Sequence, residues 1–192
     1  FFFFKQKTAY EIKECDWSSD VCSSDLARFR EDALRMLRAA RFAARFNLTI
    51  DPLTAAAIRR DASLAASLSG ERIGAEIEGI LAAAHPGVGV GLLHELGLLA
   101  VIAPALHAVW KADLPARVEA IGSHSSVDAP DPLGRLWALL SSMSSDDDAT
   151  QLLVAWRRPR ATIGALRAIR RIDSMLVAAM DGGSGTVGAD RS

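Results

Sequence analysis

Side chains that could do chemistry are concentrated between residues 28 and 50, where acids and arginines recur at helical spacing. Asp32 and Arg35 stand three residues apart, so on one helix their side chains would be neighbours. An ionised Asp only accepts hydrogen bonds, and an Arg only donates them in a fixed fork. Cytosine and adenine each present an amino donor beside a ring-nitrogen acceptor, whereas uracil and guanine present a carbonyl. The pair therefore predicts selection of cytosine or adenine.

Further arginines fall on the same face of this helix and predict contacts to phosphates. Arg38 and Arg41 would hold the phosphates of a nucleotide, and Arg45 would contact RNA. The alternative is that Asp32 and Arg35 form an ordinary surface ion pair, worth about 0.3–0.5 kcal/mol. A base contact would instead contribute roughly 1–3 kcal/mol of discrimination between bases.

The elements that position these residues are predicted to be helices, and the predicted fold class is all-α. In the 28–50 helix the apolar residues fall on the arc opposite the arginines. They form the predicted packing face of Met36, Leu37, Ala40, Ala43 and Ala44. A second helix is predicted over 54–68, after a cap at Asp51-Pro52. A third is predicted from Ser69 to about residue 84.

The rest of the chain is also predicted to be helical, with no alternating strand pattern of useful length. The glycine triplet at residues 87, 89 and 91 predicts a connection, because it lacks the strand and the spacing of a phosphate-binding loop. Short helices over 90–96 and 98–106 follow, hinged at Gly97. Later helices are predicted over 113–121, 132–143 and 150–180, the last with a buried stripe of Leu166, Ile169, Ile172, Leu176 and Met180.

A second basic patch lies in the last of these helical segments, where no acid occurs until Asp173. Its interpretation is contact with an RNA backbone, with a solvated surface as the alternative. The residues assigned to RNA here are Arg157, Arg158, Arg160, Arg167 and Arg170.

Other polar and aromatic residues are interpreted as structural. The histidines lack metal-ligand spacing, and the Asp146-x-Asp148 acids are expected to begin a helix instead of binding a metal. Trp110, Trp137 and Trp156 are expected to pack between helices, with a base-stacking platform as the alternative.

The motifs of residues 28–108 together resemble a known family. Glu31-Asp32-x-x-Arg35, with Leu37-Arg38-Ala39-x-Arg41-Phe42-Ala43, is similar to the helical neck of class II tRNA nucleotidyltransferases (CCA-adding enzymes) and bacterial poly(A) polymerases. The similarity continues through Ser69-x-Glu71-Arg72-Ile73-x-x-Glu76 and the Leu92–Leu99 segment. In that family the Glu-Asp-x-x-Arg motif is a protein template for CTP or ATP. Arg72 is assigned to RNA, with an ion pair at the helix start as the alternative.

The resemblance implies a neck, body and tail without the catalytic head. In the family the head's carboxylates bind Mg²⁺ and transfer a nucleotide to an RNA 3′ hydroxyl, releasing pyrophosphate. None of those residues can be placed in this sequence. The chain is therefore expected to bind CTP or ATP and tRNA or another RNA 3′ end, and to be inactive alone. The alternatives are a non-catalytic helical RNA-binding or scaffold module, and a helical regulator whose arginines bind acidic proteins.

The amino-acid composition of the first 26 residues differs from that of the rest of the chain. Three of four lysines, both cysteines and the only tyrosine fall in the first 26 residues, which resemble a translated sequencing adapter and are left out of fold reasoning. The predicted divisions are 1–26, a nucleotide- and RNA-binding domain over 27–108, a helical extension over 109–180 and a disordered tail over 181–192. No apolar run approaches the roughly 20 residues of a membrane span, so a cytoplasmic protein is expected.

Overall fold

The computed structural model describes residues 4–5, 28–110, 114–123, 125–126, 129–130, 132–141, 143 and 145–182. Most of the predicted 1–26 leader, and residues 183–192 of the predicted tail, lie outside the described residues. The side chain of Met180, assigned to the buried stripe, lies outside them too.

Helices dominate the described residues, which confirms the all-α prediction. A helical turn at residues 28–31 precedes the first of them. The bounds are α1 Leu34–Phe46, α2 Pro52–Asp61, a 3-10 helix Ala62–Ser67, α3 Gly70–Leu81, α4 Pro86–Glu95, α5 Leu98–Ile102, α6 Pro104–Trp110, α7 Leu114–Ser123, α8 Pro132–Leu140, α9 Asp146–Ala155 and α10 Arg160–Gly182. Two short antiparallel strand pairs accompany them, namely β1 Phe4–Lys5 with β2 Thr49–Ile50, and β3 Ser125–Ser126 with β4 Ala129–Pro130.

The core is organised around α1, which packs against both α3 and α4. The five residues of its predicted packing face are completely buried, which confirms that prediction. From α3 the core receives Ile73, Ile77, Ile80 and Leu81. The opposite face of α1 is thereby held at the surface, and this face carries the candidate site.

The prediction of one continuous helix over residues 28–50 is wrong, because the segment breaks at Asp32 and Ala33. The carboxylate of Asp32 accepts a hydrogen bond from the Leu34 amide at 3.1 Å, so α1 begins only at Leu34. A short Asp side chain competes with the helical backbone in this way. At the other end Asn47 adopts a left-handed conformation with φ 51°, which ends α1 ahead of β2.

The second and third helices begin at their predicted caps. Asp51 accepts hydrogen bonds from the Leu53 and Thr54 amides, and Ser69 accepts one from the Arg72 amide. The second helix was predicted to reach residue 68, but it ends at Asp61 and continues as the 3-10 helix. The third ends at Leu81 because the buried Arg135 side chain donates to the Leu81 and Ala83 carbonyls, which replaces the hydrogen bonds of a further turn.

The prediction of a glycine connection at residues 87–91 is wrong, because all three glycines lie inside α4. A Cβ atom on Gly89 would lie 2.7 Å from Ile80 Cγ2 and 2.9 Å from Ala44 Cβ. The absence of a side chain therefore lets α4 cross α1 and α3 closely. The predicted hinge at Gly97 is confirmed, because its φ of 77° separates α4 from α5.

The later helices complete the body, with α7 packed on α4 and α8, and α10 packed on α8 and α9. Trp110 and Trp156 are buried and Trp137 is half-buried, in agreement with the packing interpretation. The predicted buried stripe of α10 is correct for Leu166 but wrong for Ile172 and Leu176, which are exposed.

No helix in the described part of the chain is both long enough and apolar enough to cross a membrane.

Candidate functional site

Asp32 is fixed at the junction between the 28–31 turn and α1. Its Oδ1 accepts from the Leu34 amide at 3.1 Å and from Arg72 Nη2 at 2.9 Å, while its Oδ2 accepts from the same Nη2 at 3.1 Å. The Asp32 side chain is nevertheless 33% exposed. A carboxylate offers about four acceptor positions, so Oδ2 retains one that faces no protein donor among the described residues.

Arg35 follows one turn later, on the first turn of α1 and half-buried. Its amide donates to the Asp32 carbonyl at 3.1 Å, which ties the two residues together through the backbone. No hydrogen bond or ion pair joins the Arg35 guanidinium to another described residue. The break in the helix therefore leaves an acceptor and a forked donor beside each other at the surface.

Arg38 and Arg41 continue along the same face of α1, and Glu76 of α3 lies beside them. Arg41 Nε is 3.1 Å from Glu76 Oε2, but Oε2 has no hydrogen-bond partner, so the contact is an ion pair without an aligned N–H. Burial raises the pKa of Glu76 above its ordinary value, against the opposing charges of Arg41, Arg38 and Arg72. Arg38 is exposed and faces solvent.

The C-terminal half of α1 forms a separate groove against the end of α3. The groove has a volume of about 530 Å³ and is lined by Arg41, Phe42, Arg45, Gly79, Ala82, Ala83 and Ala84. Arg45, predicted to contact RNA, is exposed and lies over the Phe46 ring at 5.3 Å from its centroid. None of these lining residues is acidic.

The second basic patch is less uniform than its sequence indicates, because three of its arginines bind protein groups. Arg170 donates to the Leu140 and Met143 carbonyls at 3.1 and 2.7 Å, and it pairs with Asp146. Arg158 pairs with Glu78 at 2.9 Å, and Arg167 donates to the Thr150 hydroxyl at 3.2 Å.

Arg157 and Arg160 differ from those three arginines. Both are exposed, and neither forms an ion pair with an acid among the described residues. Arg157 has a left-handed backbone with φ 54° at the turn between α9 and α10, and Arg160 begins α10. They are therefore the members of the patch whose charge is available to a ligand.

The acids at residues 146–148 and two of the histidines make local contacts. Ser145 caps α9 by accepting from the Asp147 and Asp148 amides, so the acids begin a helix as predicted. The rings of His94 and His107 pack at 4.8 Å, and burial followed by the His107 charge lowers the pKa of His94. Among the described residues, no group of three or more His, Cys, Asp and Glu could hold a metal ion.

Sequence reasoning missed two contributions from α3. It assigned no role to Glu76, and it placed Arg72 against RNA or in an ion pair at the helix start, whereas the Arg72 guanidinium binds Asp32. The available signal was the four-residue spacing of Arg72 and Glu76, which places both on one face of α3. That spacing does not show which helix the face meets.

Residues 47–109 match a family described as the probable RNA and SrmB-binding site of polymerase A. This region begins just after α1 and extends to the last turn of α6.

Curated relatives match more of the chain. It is 34% identical over 153 residues to the CCA-adding enzyme of Geobacillus kaustophilus, covering 78% of this chain and 36% of the relative. It is 43% identical over 103 residues to the multifunctional CCA protein of Paracidovorax citrulli, covering 52% of this chain and 23% of the relative. The chain thus spans about a third or less of these relatives.

Solved structures share the fold. A complex of a CCA-adding enzyme with ATP superposes with a TM-score of 0.52 at 18% identity, covering 82% of this chain and 39% of the other. A complex of a CCA-adding enzyme with CTP gives a TM-score of 0.51, also at 18% identity, over 80% of this chain and 38% of the other. At this level of identity the similarity concerns the fold alone.

Proposed function

Because this chain belongs to the family of tRNA nucleotidyltransferases and poly(A) polymerases, we propose that its α1 face selects CTP and ATP for addition to an RNA 3′ end. Asp32 accepts a hydrogen bond from the amino group of cytosine or adenine, and Arg35 donates to the adjacent ring nitrogen. Arg38 and Arg41 hold the triphosphate. The supporting relatives are CCA-adding enzymes, and two structures of similar fold contain ATP and CTP.

The observation that carries this proposal is the geometry of Asp32. Arg72 and the Leu34 amide hold the carboxylate in place while Oδ2 retains an acceptor position. Such preorganisation is what base discrimination requires, because a mobile acceptor would adapt to the wrong base. A surface ion pair between Asp32 and Arg35 would consume both groups, and the structure does not contain that pair.

The tRNA or other RNA 3′ end is proposed to bind the arginines around the body, primarily the exposed Arg45, Arg157 and Arg160. The match to an RNA-binding family over residues 47–109 supports an RNA ligand. Arg72, Arg158, Arg167 and Arg170 contribute positive charge to the same surfaces, although each also contacts a protein group.

The chemistry of nucleotide transfer is not assigned to these residues. The resemblance to the family implies that carboxylates of the head would hold Mg²⁺ for that chemistry, and among the described residues no group of three or more His, Cys, Asp and Glu could hold a metal ion. The contribution proposed for this chain is to orient the base, neutralise phosphates and hold RNA.

Equilibrium binding of the four nucleoside triphosphates tests the proposal. CTP and ATP should bind roughly 5- to 150-fold more tightly than UTP and GTP, which corresponds to about 1–3 kcal/mol of discrimination. Equal binding of all four would disprove base selection. Binding of RNA without any nucleotide would favour the second candidate, a helical RNA-binding module without nucleotide selection, which the match over residues 47–109 supports.

A further inference from the structure

An aromatic and basic groove lies at the opposite end of α1 from Asp32. It is the groove of about 530 Å³ between the C-terminal half of α1 and the end of α3. At 1.5 Å per residue, Phe46 lies about 16 Å along the helix from Arg35. The α3 side of the groove consists of Gly79 and three alanines, which leaves its floor smooth and open.

Arg41, Phe42 and Arg45 line this groove, and the Phe46 ring adjoins it by stacking on Phe42. The Phe42 and Phe46 rings are one helical turn apart, nearly parallel at 10°, with centroids separated by 6.3 Å. Arg41 lies over the first ring and Arg45 over the second, each with Cζ 5.3 Å from the centroid. Phe46 is 55% exposed, so its ring contributes little to the core.

The charge of the groove favours an anionic ligand. Arg41 is held by Glu76 at 3.1 Å, but Arg45 has no acidic partner among the described residues. A Cβ atom on Gly79 would lie 2.6 Å from Arg41 Cδ, so this glycine allows the Arg41 side chain to lie flat across α3. The lining therefore carries positive charge over an aromatic surface.

We propose that this groove and the adjoining Phe46 ring bind single-stranded RNA, with a base stacked on Phe46. The inference rests on the RNA binding proposed above and identifies a site for it. Arg45 lies within cation–π range of the Phe46 ring, with Cζ 5.3 Å from the centroid, so this exposed and flexible side chain would swing aside to let a base stack on the ring. The same guanidinium neutralises an adjacent phosphate. Aromatic stacking within a basic groove is the general mode by which proteins hold single strands.

Fluorescence anisotropy with a short labelled single-stranded RNA tests the proposal. Phe46→Ala should weaken binding about tenfold and leave CTP affinity unchanged. Arg45→Gln should lower the slope of log affinity against log salt by about 0.7. The matched control is Leu53→Ala, which removes another exposed apolar side chain, 63% exposed on α2, and should change neither value.

Four outcomes would overturn the inference. If wild type binds RNA and Phe46→Ala stays within about twofold of it, the groove is not the site, while the proposed RNA binding stands. If Phe46→Ala weakens the binding of an abasic oligonucleotide by the same factor, the Phe46 ring does not stack on bases. Self-association that Phe46→Ala abolishes, with RNA affinity unchanged, would make the ring a protein contact. If wild type binds no RNA, the RNA part of the proposed function fails as well.

Discussion

Arg72 Nη2 donates to both carboxylate oxygens of Asp32, at 2.9 and 3.1 Å, across 40 residues of sequence. This contact joins α3 to the break before α1, at the point where base selection is proposed. A single guanidinium nitrogen contacts both oxygens, and the Leu34 amide adds a second contact to Oδ1; the two donors together restrict rotation of the carboxylate. The orientation of Asp32 toward a base therefore depends on a residue of another helix.

Removal of this contact should reduce discrimination without unfolding the protein. In Arg72→Ala we expect the preference for CTP over UTP to fall on the order of fivefold, because the carboxylate can rotate. The pair is partly exposed, so the free energy of unfolding should fall by less than about 1 kcal/mol. Nucleotide titration and urea unfolding measure the two effects. Arg59→Ala, which breaks an exposed pair with Glu95 at 2.6 Å, is the control and should leave the preference intact.

Substitutions along α1 should separate base choice from phosphate binding. Asp32→Ala should reduce the preference for CTP and ATP by roughly 1–3 kcal/mol, with a smaller effect on the affinity for inorganic triphosphate. Arg38→Ala should weaken all four nucleotides and triphosphate alike, because it removes a charge and no base contact. Competition of each nucleotide against triphosphate measures both. The assignment would be wrong if the two variants lost the same affinity in the same proportions.

The contrast between α1 and its neighbours shows what the sequence could predict. The buried face of α1 follows from apolar spacing alone, and every residue predicted there is buried. The same kind of prediction for α10 is wrong at Ile172 and Leu176, which are exposed because no other described element covers that part of the helix. Periodicity identifies a face that can be buried, but the presence of a covering element depends on tertiary structure.

The candidate site was predictable to a similar degree. Asp32 and Arg35 were found from donor and acceptor chemistry, but the break that separates them depends on the Leu34 hydrogen bond. An Asp side chain can either leave the helical backbone intact or compete with its hydrogen bonds, so local sequence does not decide between a continuous helix and a break. The partners of Arg72, Arg158 and Arg170 lie 24 to 84 residues away, and no local pattern identifies them.

Close packing at Gly74 should make this position intolerant of a side chain. A Cβ atom there would lie 2.3 Å from the Trp156 carbonyl oxygen, so α3 and the end of α9 would have to separate. Gly74→Ala should lower the free energy of unfolding by about 1–3 kcal/mol. Gly164→Ala is the matched control, since a Cβ at that exposed position of α10 meets nothing within 4 Å. It should stabilise the helix by up to about 1 kcal/mol, and urea unfolding of both variants tests the difference in sign.

The packed imidazoles should make stability fall in mild acid. Burial, and then the His107 charge, lowers the pKa of His94 from its ordinary 6.5. As the pH falls through about 6.5, His94 is therefore protonated in the unfolded chain before it is protonated in the folded protein. The stability that neutral His94 contributes is lost as the pH falls from about 6.5 toward the lower pKa of the folded state. The raised pKa of Glu76 has the opposite effect, because it increases the free energy of unfolding as the pH falls. The quantity to compare is therefore the change in this free energy with pH in wild type and in His94→Gln. Unfolding curves at pH 7.5 and 5.5 should show a larger loss for wild type, whereas parallel losses would contradict the assignment.

Two arginines of α10 should separate structural from RNA-binding roles within one basic patch. Arg170 is 13% exposed and donates to the Leu140 and Met143 carbonyls, so Arg170→Ala leaves buried acceptors unpaired. It should lower the free energy of unfolding by about 2–4 kcal/mol. Arg160 is exposed without an acidic partner among the described residues, so Arg160→Gln should change stability by less than about 0.5 kcal/mol. It should instead weaken RNA binding and reduce the salt slope by about 1. If Arg160→Gln left RNA affinity unchanged at low salt, the exposed end of α10 would not be part of the RNA surface, and the proposed contact would be limited to the α1 groove and Arg157.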